Sequence, residues 1–130
     1  MVVDTSAMIA LLGMEPEAAR LAIALESDTT RLISAATVVE AGLLIEARYG
    51  AAGGRELDLL IAKAGLSTEA VTAQQADVAR DAWRRYGKGR HSAGLNFGDC
   101  FSYALAKVTG EPLLFKGDDF IDTDISVVAY

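Results

Sequence analysis

The chain has 130 residues, 52% of them hydrophobic, with two prolines, one cysteine and a formal net charge of −6. This composition excludes a disordered chain, and the single thiol, Cys100, excludes an internal disulfide. The acidic balance excludes nucleic-acid binding by bulk charge, because phosphate contacts require Lys and Arg; it suits a partner that carries a basic segment.

A chain of this length is expected to fold as one domain over residues 1–130, large enough to bury a core without staples. Met1 to Val3 reads as a short buried strand that ends on Asp4. Thr5 to Leu12 follows as a helix, with Thr5 or Ser6 available as cap. Glu15-Pro16-Glu17 opens a second helix running to about Ser27, with Pro and acids suited to a first turn. Arg31 to Ser34 is a second strand. Thr37 to Tyr49 is an apolar helix stopped by Gly50. Another helix, Arg55 to Ala64, ends at Gly65, and Leu66 to Val71 holds a short strand.

Thr72 caps a helix from Ala73 to Tyr86, followed by a glycine-rich, polar loop over Gly87 to Gly98. The next helix begins at Asn96 or Gly98, runs to Val108, contains Cys100 as a buried inert thiol, and ends at Gly110. Leu113 to Phe115 is a strand, Lys116 to Phe120 a turn into a short helix, and Ser126 to Val128 a last strand. Short apolar strands separated by helices predict an α/β fold: a three-layer α/β/α sandwich with a short, mostly parallel central sheet. The first strand opens at the initiator without a basic leader, and no apolar stretch has the length of a membrane span, so a cytoplasmic location without membrane contact is expected.

Four acids fall at strand–helix junctions: Asp4, Glu40, Asp99 and Asp119. In open α/β sheets the carboxyl edge of the strands is where ligands bind. Each acid has a structural explanation of its own. Asp4 can cap the following helix, Asp99 can close a capping box on Asn96, and Asp118-Asp119 can be turn residues. Glu40 shares a helical face with Leu43, Leu44 and Ala47, where an isolated charge is costly, so it needs a cation, a hydrogen-bond network or a salt bridge such as one to Arg48. Ser102, one turn past Asp99, is placed to orient that carboxylate. Together the acids form a hard oxygen donor set without His or Cys companions, which suits Mg²⁺ or Mn²⁺ rather than zinc. The one basic stretch, Arg84, Arg85, Lys88, Arg90 and His91, leads into the Asp99 helix and is a candidate contact for an RNA backbone or simply a solvated helix end.

With these motifs in view, the chain resembles PIN-domain ribonucleases, and more closely the VapC-type toxins of toxin–antitoxin pairs. Val2-Val3-Asp4-Thr5-Ser6, Thr37-Val38-Val39-Glu40, Leu95-Asn96-Phe97-Gly98-Asp99-Cys100 and Leu114-Phe115-Lys116-Gly117-Asp118-Asp119-Phe120 carry the likeness in order. The resemblance selects Asp119, directly before Phe120, over Asp118. It implies a Mg²⁺-dependent endoribonuclease, with Mn²⁺ as a substitute, in which Asp4, Glu40, Asp99 and Asp119 are catalytic and Asp4 and Asp99 are the direct metal ligands. Hydrolysis by activated water would leave 5′-phosphate and 3′-hydroxyl ends. It also implies an RNA substrate, a VapB-like cognate antitoxin and a homodimer; apolar positions among Ala18 to Leu25 and Leu43 to Tyr49 could serve as the docking groove or the dimer face, while most of them, by their helical spacing, read as plain core. Two rivals stand beside this reading. One is a phosphoaspartate-type phosphatase, although the residue two after Asp4 is Ser6 rather than a second Asp. The other is a non-catalytic α/β interaction module with a structural ion.

Overall fold

Val2 and Val3 are β-branched neighbours whose side chains must point to opposite faces of a strand. In the computed structural model, which describes Met1–Tyr130, they form β1 (Val2–Val3) inside the sheet. Strand β1 pairs with β2 (Leu32–Ser34) on one side and with β4 (Leu113–Leu114) on the other, while β3 (Ser67–Glu69) extends the sheet beyond β2. All pairings are parallel and the order is β3-β2-β1-β4. Val2 lies level with Leu32 and Leu113, and Val3 with Leu114.

The period of two then sorts the core. Val2 and Leu113 enter a cluster with Ala79, Ala82 and Leu105 on one face. Val3, Ile33 and Leu114 enter a second cluster with Met8, Leu21 and Ala41 on the other. Helices α1 (Thr5–Leu12), α2 (Ala18–Ser27) and α3 (Ala35–Lys63) cover the second face, and α4 (Ala73–Tyr86) and α5 (Phe97–Thr109) the first. This is the expected three-layer sandwich, with the sheet parallel throughout. No helix is long and apolar enough to cross a membrane.

The helices expected on either side of Gly50 are both present: the span labelled α3 is two helices that meet at a kink at Gly50, whose φ of 66° and ψ of −166° end the first as expected. Other bounds and contacts differ. α3 starts at Ala35 because the Ser34 hydroxyl accepts the Ala36 N–H. α2 begins at Ala18, past the Glu15-Pro16-Glu17 turn. The buried stripe of α3 is Thr37, Ala41 and Ile45, not the stripe of Glu40: Leu43 is 69% exposed and Leu44 51%. After Asp119 there is no short helix but a series of turns. Thr123 bonds the Phe120 carbonyl through its hydroxyl, offering the backbone an alternative to a helix. The last strand is reduced to a single bridge, Val127 to Leu113. That segment is held instead by Asp124, which accepts from the Tyr103 hydroxyl at 2.7 Å and Lys107 at 2.9 Å. Burial opposes ionisation of Asp124, but these bonds and the Lys107 and Arg85 charges outweigh it and hold its pKa down to about 2.

Candidate active site

Asp4 follows β1 directly and caps α1 in an extended conformation. Its carboxylate is 2% exposed, a position that only full hydrogen bonding makes tolerable. The Ser6 N–H (2.9 Å) and Ser6 hydroxyl (2.6 Å) donate to Oδ2, and the Ser102 hydroxyl donates to Oδ1 at 2.6 Å. Ser102 therefore orients Asp4, 98 positions away in the chain, rather than its helix neighbour Asp99. Thr37 braces Ser102 through a buried hydroxyl pair at 3.2 Å.

Glu40 projects from the second turn of α3 and accepts the Thr5 hydroxyl at 2.5 Å. No basic side chain pairs with it; Arg48 lies instead over the Tyr49 ring, 5.9 Å from its centroid. The Glu40 carboxylate rests against the first turn of α5, where a Cβ on Gly98 would stand only 2.1 Å from Oε1 and 2.2 Å from Oε2. Glycine at 98 is thus a seat for Glu40.

Asp99 closes the capping box of α5: the Asn96 N–H donates to its Oδ2 at 2.7 Å and its own N–H donates to Asn96 Oδ1 at 2.9 Å. Burial raises its pKa to about 7. The Asn96 N–H works against that rise, while the negative charges of Asp4, Asp119 and Glu40 add to it. Asp119 lies beyond β4 at the solvent edge, its pKa raised by burial and by Asp4 and Asp118. The Cys100 thiol next to Asp99 is buried and pushed up to about 11 by burial and the Asp99 charge, which keeps it inert.

Asp4, Glu40, Asp99 and Asp119 all line one cleft of about 310 Å³; Asp118 does not. The cleft opens at the carboxyl edge where β1 connects to β2 on one side and neighbours β4 on the other, the switch point at which α/β sheets bind ligands. Lys116 is the one cation in its lining, and it pairs with Glu15 and, at 3.2 Å, with Glu17. The donors are hard oxygens from four separate elements, with like charges as neighbours, and this chemistry fits a divalent cation of the Mg²⁺ class. No three of the carboxylates converge on one point at ligand distance, in keeping with their mutual repulsion.

A PIN domain pattern matches residues 1–126. The chain belongs to the PIN domain family. It is 60% identical over 129 residues to the VapC ribonuclease Mb0640 of Mycobacterium bovis, covering 99% of this chain and 98% of that protein. It is 57% identical over 128 residues to the ribonuclease VapC of Mycolicibacterium smegmatis, covering 98% and 99%. Among solved structures, the Mycobacterium tuberculosis VapC20 toxin superposes with a TM-score of 0.80 at 20% identity over 99% of this chain and 98% of that one. A chain of a toxin–antitoxin complex from Klebsiella pneumoniae gives 0.73 at 18% identity over 99% and 97%. The structural likenesses establish the fold; the full-length sequence likeness places this PIN domain with the VapC-type toxins, which are endoribonucleases.

In this PIN domain the basic stretch of the sequence is divided. Arg85 turns to Asp124 (3.3 Å) and the Tyr86 hydroxyl (2.7 Å), and His91 packs edge-on against Tyr86 while its Nδ1 accepts the Ala93 N–H. Arg84 and Lys88, joined by Arg80, line a second groove between α4 and α5. Sequence reasoning reached the basic members Arg84 and Lys88 but missed the aromatic lining of that groove, the Gly98 seat, the Thr5 bond and the true partner of Ser102. The aromatic Phe97 beside Asn96 was a further signal for the groove.

Proposed function

We propose that the cleft binds Mg²⁺, or Mn²⁺ in its place, and hydrolyses RNA phosphodiesters to 5′-phosphate and 3′-hydroxyl ends. The observation that carries this reading is the meeting of Asp4, Glu40, Asp99 and Asp119 in one cleft, with Asp99 raised to about 7 by burial and by the other three acids. Asp4 and Asp99 are assigned as direct ligands, with Glu40 and Asp119 completing the shell. When bound, the ion supplies Lewis-acid activation of water and neutralises charge on the phosphate.

The protein's own residues prepare the site. Ser6 and Ser102 hold Asp4 in a fixed orientation by donating to both of its oxygens. Thr5 and the Gly98 seat aim Glu40 into the cleft. Asp119, at the open edge, is placed to orient the attacking water and accept its proton at a carboxylate oxygen. Asp99 must release its proton before it can act as a ligand, so ion affinity rises with pH through about 7.

A cognate VapB-like antitoxin, a homodimer and a cytoplasmic location complete the proposal. The exposed Ile23, Leu43, Leu44 and Tyr49 on α2 and α3 are apolar surface suited to such partners. Cleavage of RNA by the purified protein with Mg²⁺, followed by end-group analysis, tests the chemistry. Ends carrying 5′-phosphate support it; 2′,3′-cyclic phosphate, or full activity in EDTA, overturns it.

A further inference from the structure

The carboxylate cleft is poorly suited to attracting RNA by itself. Its lining holds Asp4, Glu15, Glu40, Asp99 and Asp119 against one cation, Lys116, already paired. A polyanion must gain its affinity elsewhere. The groove between α4 and α5 has the opposite character: a volume of about 650 Å³ and a lining with three cations and no acid, in a chain of net charge −6.

We infer that this groove is a binding subsite for unpaired nucleobases of single-stranded RNA, with Trp83, Phe97 and Phe101 as its stacking surface and Arg80, Arg84 and Lys88 as its phosphate contacts. The inference rests on the endoribonuclease reading and extends it to where the substrate lies. Three observations carry it. Phe97 is 80% exposed, and its ring meets Phe101 edge to face with centroids 5.0 Å apart, an aromatic surface held in place yet open to solvent. Trp83 is 38% exposed and seated on Gly87, where a Cβ would lie 2.7 Å from its Cε3 and 2.8 Å from its Cδ2, so the indole is fixed from below. Asn96 lines both this groove and the carboxylate cleft, so a strand with bases in the first has its backbone at the second. Aromatic faces flanked by cations are how proteins hold single strands without reading sequence. Arg80 and Arg84 pair only loosely with Asp77 (3.9 Å) and Asp81 (3.4 Å) in exposed positions, contacts that phosphates readily replace.

Trp83 is the only tryptophan, so its emission reports on the groove directly. The full chain is titrated in EDTA with a short oligouridylate and with an abasic oligomer of equal length. The oligouridylate is expected to quench Trp83 and to bind about tenfold more tightly than the abasic strand, the order expected of base stacking. Phe97→Ala, an exposed position, is expected to remove about tenfold in affinity. Lys88→Ala is expected to flatten the salt dependence by about 0.7 in log–log slope. Asp4→Asn should abolish cleavage with Mg²⁺ yet keep the quench. Unchanged emission on RNA binding, equal affinity for both strands, or an emission change that follows protein dilution alone, as for a face between two copies, overturns the groove. If wild-type cleavage persists with Mg²⁺ in any of those cases, the nuclease reading stands without it. Loss of metal-dependent cleavage with an intact quench leaves the groove and removes the nuclease reading.

Discussion

Two depressions meet at Asn96 and differ in almost every physical property. One is lined by five carboxylates and a paired lysine; the other by aromatic and small apolar side chains with three cations. Each has a glycine that lets a functional side chain lie flat against backbone: Gly98 under Glu40, and Gly87 under Trp83. The acid cleft concentrates charge where hydrogen bonds from Ser6, Ser102, Thr5 and Asn96 hold it in fixed positions. The groove offers surface and diffuse positive charge with few fixed polar contacts. On the proposed reading the contrast is a division of labour: the metal-free acid cleft repels a polyanion, and the groove supplies the attraction.

The largest break in this comparison comes from the acids. Asp4→Asn or Asp99→Asn is expected to lower RNA cleavage by about 10³-fold, the order lost when one group stabilising a transition state is removed, while oligonucleotide binding in EDTA is unchanged or tighter. Cleavage assays beside fluorescence titrations check this. Parallel losses of binding and cleavage would mean that the two regions are one site.

A finer test adds a methyl group. Gly98→Ala places a Cβ 2.1–2.4 Å from the Glu40 carboxylate, the movable end of a flexible side chain, so Glu40 must swing out of the cleft. Cleavage is expected to fall about 10–100-fold, as for the loss of a supporting contact in a metal site. The melting temperature should hold steady or rise, because Ala is favoured over Gly within a helix by about 0.5–1 kcal/mol. A large drop in melting temperature would show that Gly98 serves packing rather than Glu40.

The two regions were unequally legible in the sequence. The alternation of short strands with helices, the buried first strand at Val2-Val3 and the Asn96–Asp99 capping box are short-range patterns, and they appeared as expected. What escaped depends on contacts between distant residues. Ser102 was assigned to Asp99 because they are neighbours on one helix, whereas the sheet brings it to Asp4. Leu43 and Leu44 read as core because their spacing is helical, yet the stripe that faces the sheet is Thr37, Ala41 and Ile45, a turn of the helix that no local pattern fixes. The turns after Asp119 look helical by composition until the Thr123 hydroxyl takes the Phe120 carbonyl. The groove was hidden because Trp83 and Phe97 are 14 positions apart on helices whose packing brings them together.

The smallest effects sharpen the comparison through stability. Asp99 has a folded pKa of about 7 against an ordinary 3.8, so the fold binds its proton more tightly than the unfolded chain does. Its contribution is therefore fully present below about pH 4 and is lost as pH rises through 7, where the ionised group sits beside Asp4, Asp119 and Glu40. Asp99→Asn removes that charge while keeping an acceptor for the Asn96 N–H. In EDTA it is expected to melt a few degrees higher than the wild type at pH 8 and at nearly the same temperature at pH 4. Phe97→Ala, by contrast, should stay within about 0.5 kcal/mol of wild type at both pH values, since an exposed, uncharged side chain contributes little to folding. Thermal melts of both variants across this range separate the regions: the acid cleft weakens the metal-free fold in a pH-dependent way, and the groove leaves it unchanged. A lower melting temperature for Asp99→Asn at pH 8 would mean that its capping bond outweighs the repulsion, and would remove the electrostatic ground for a cation at this cleft.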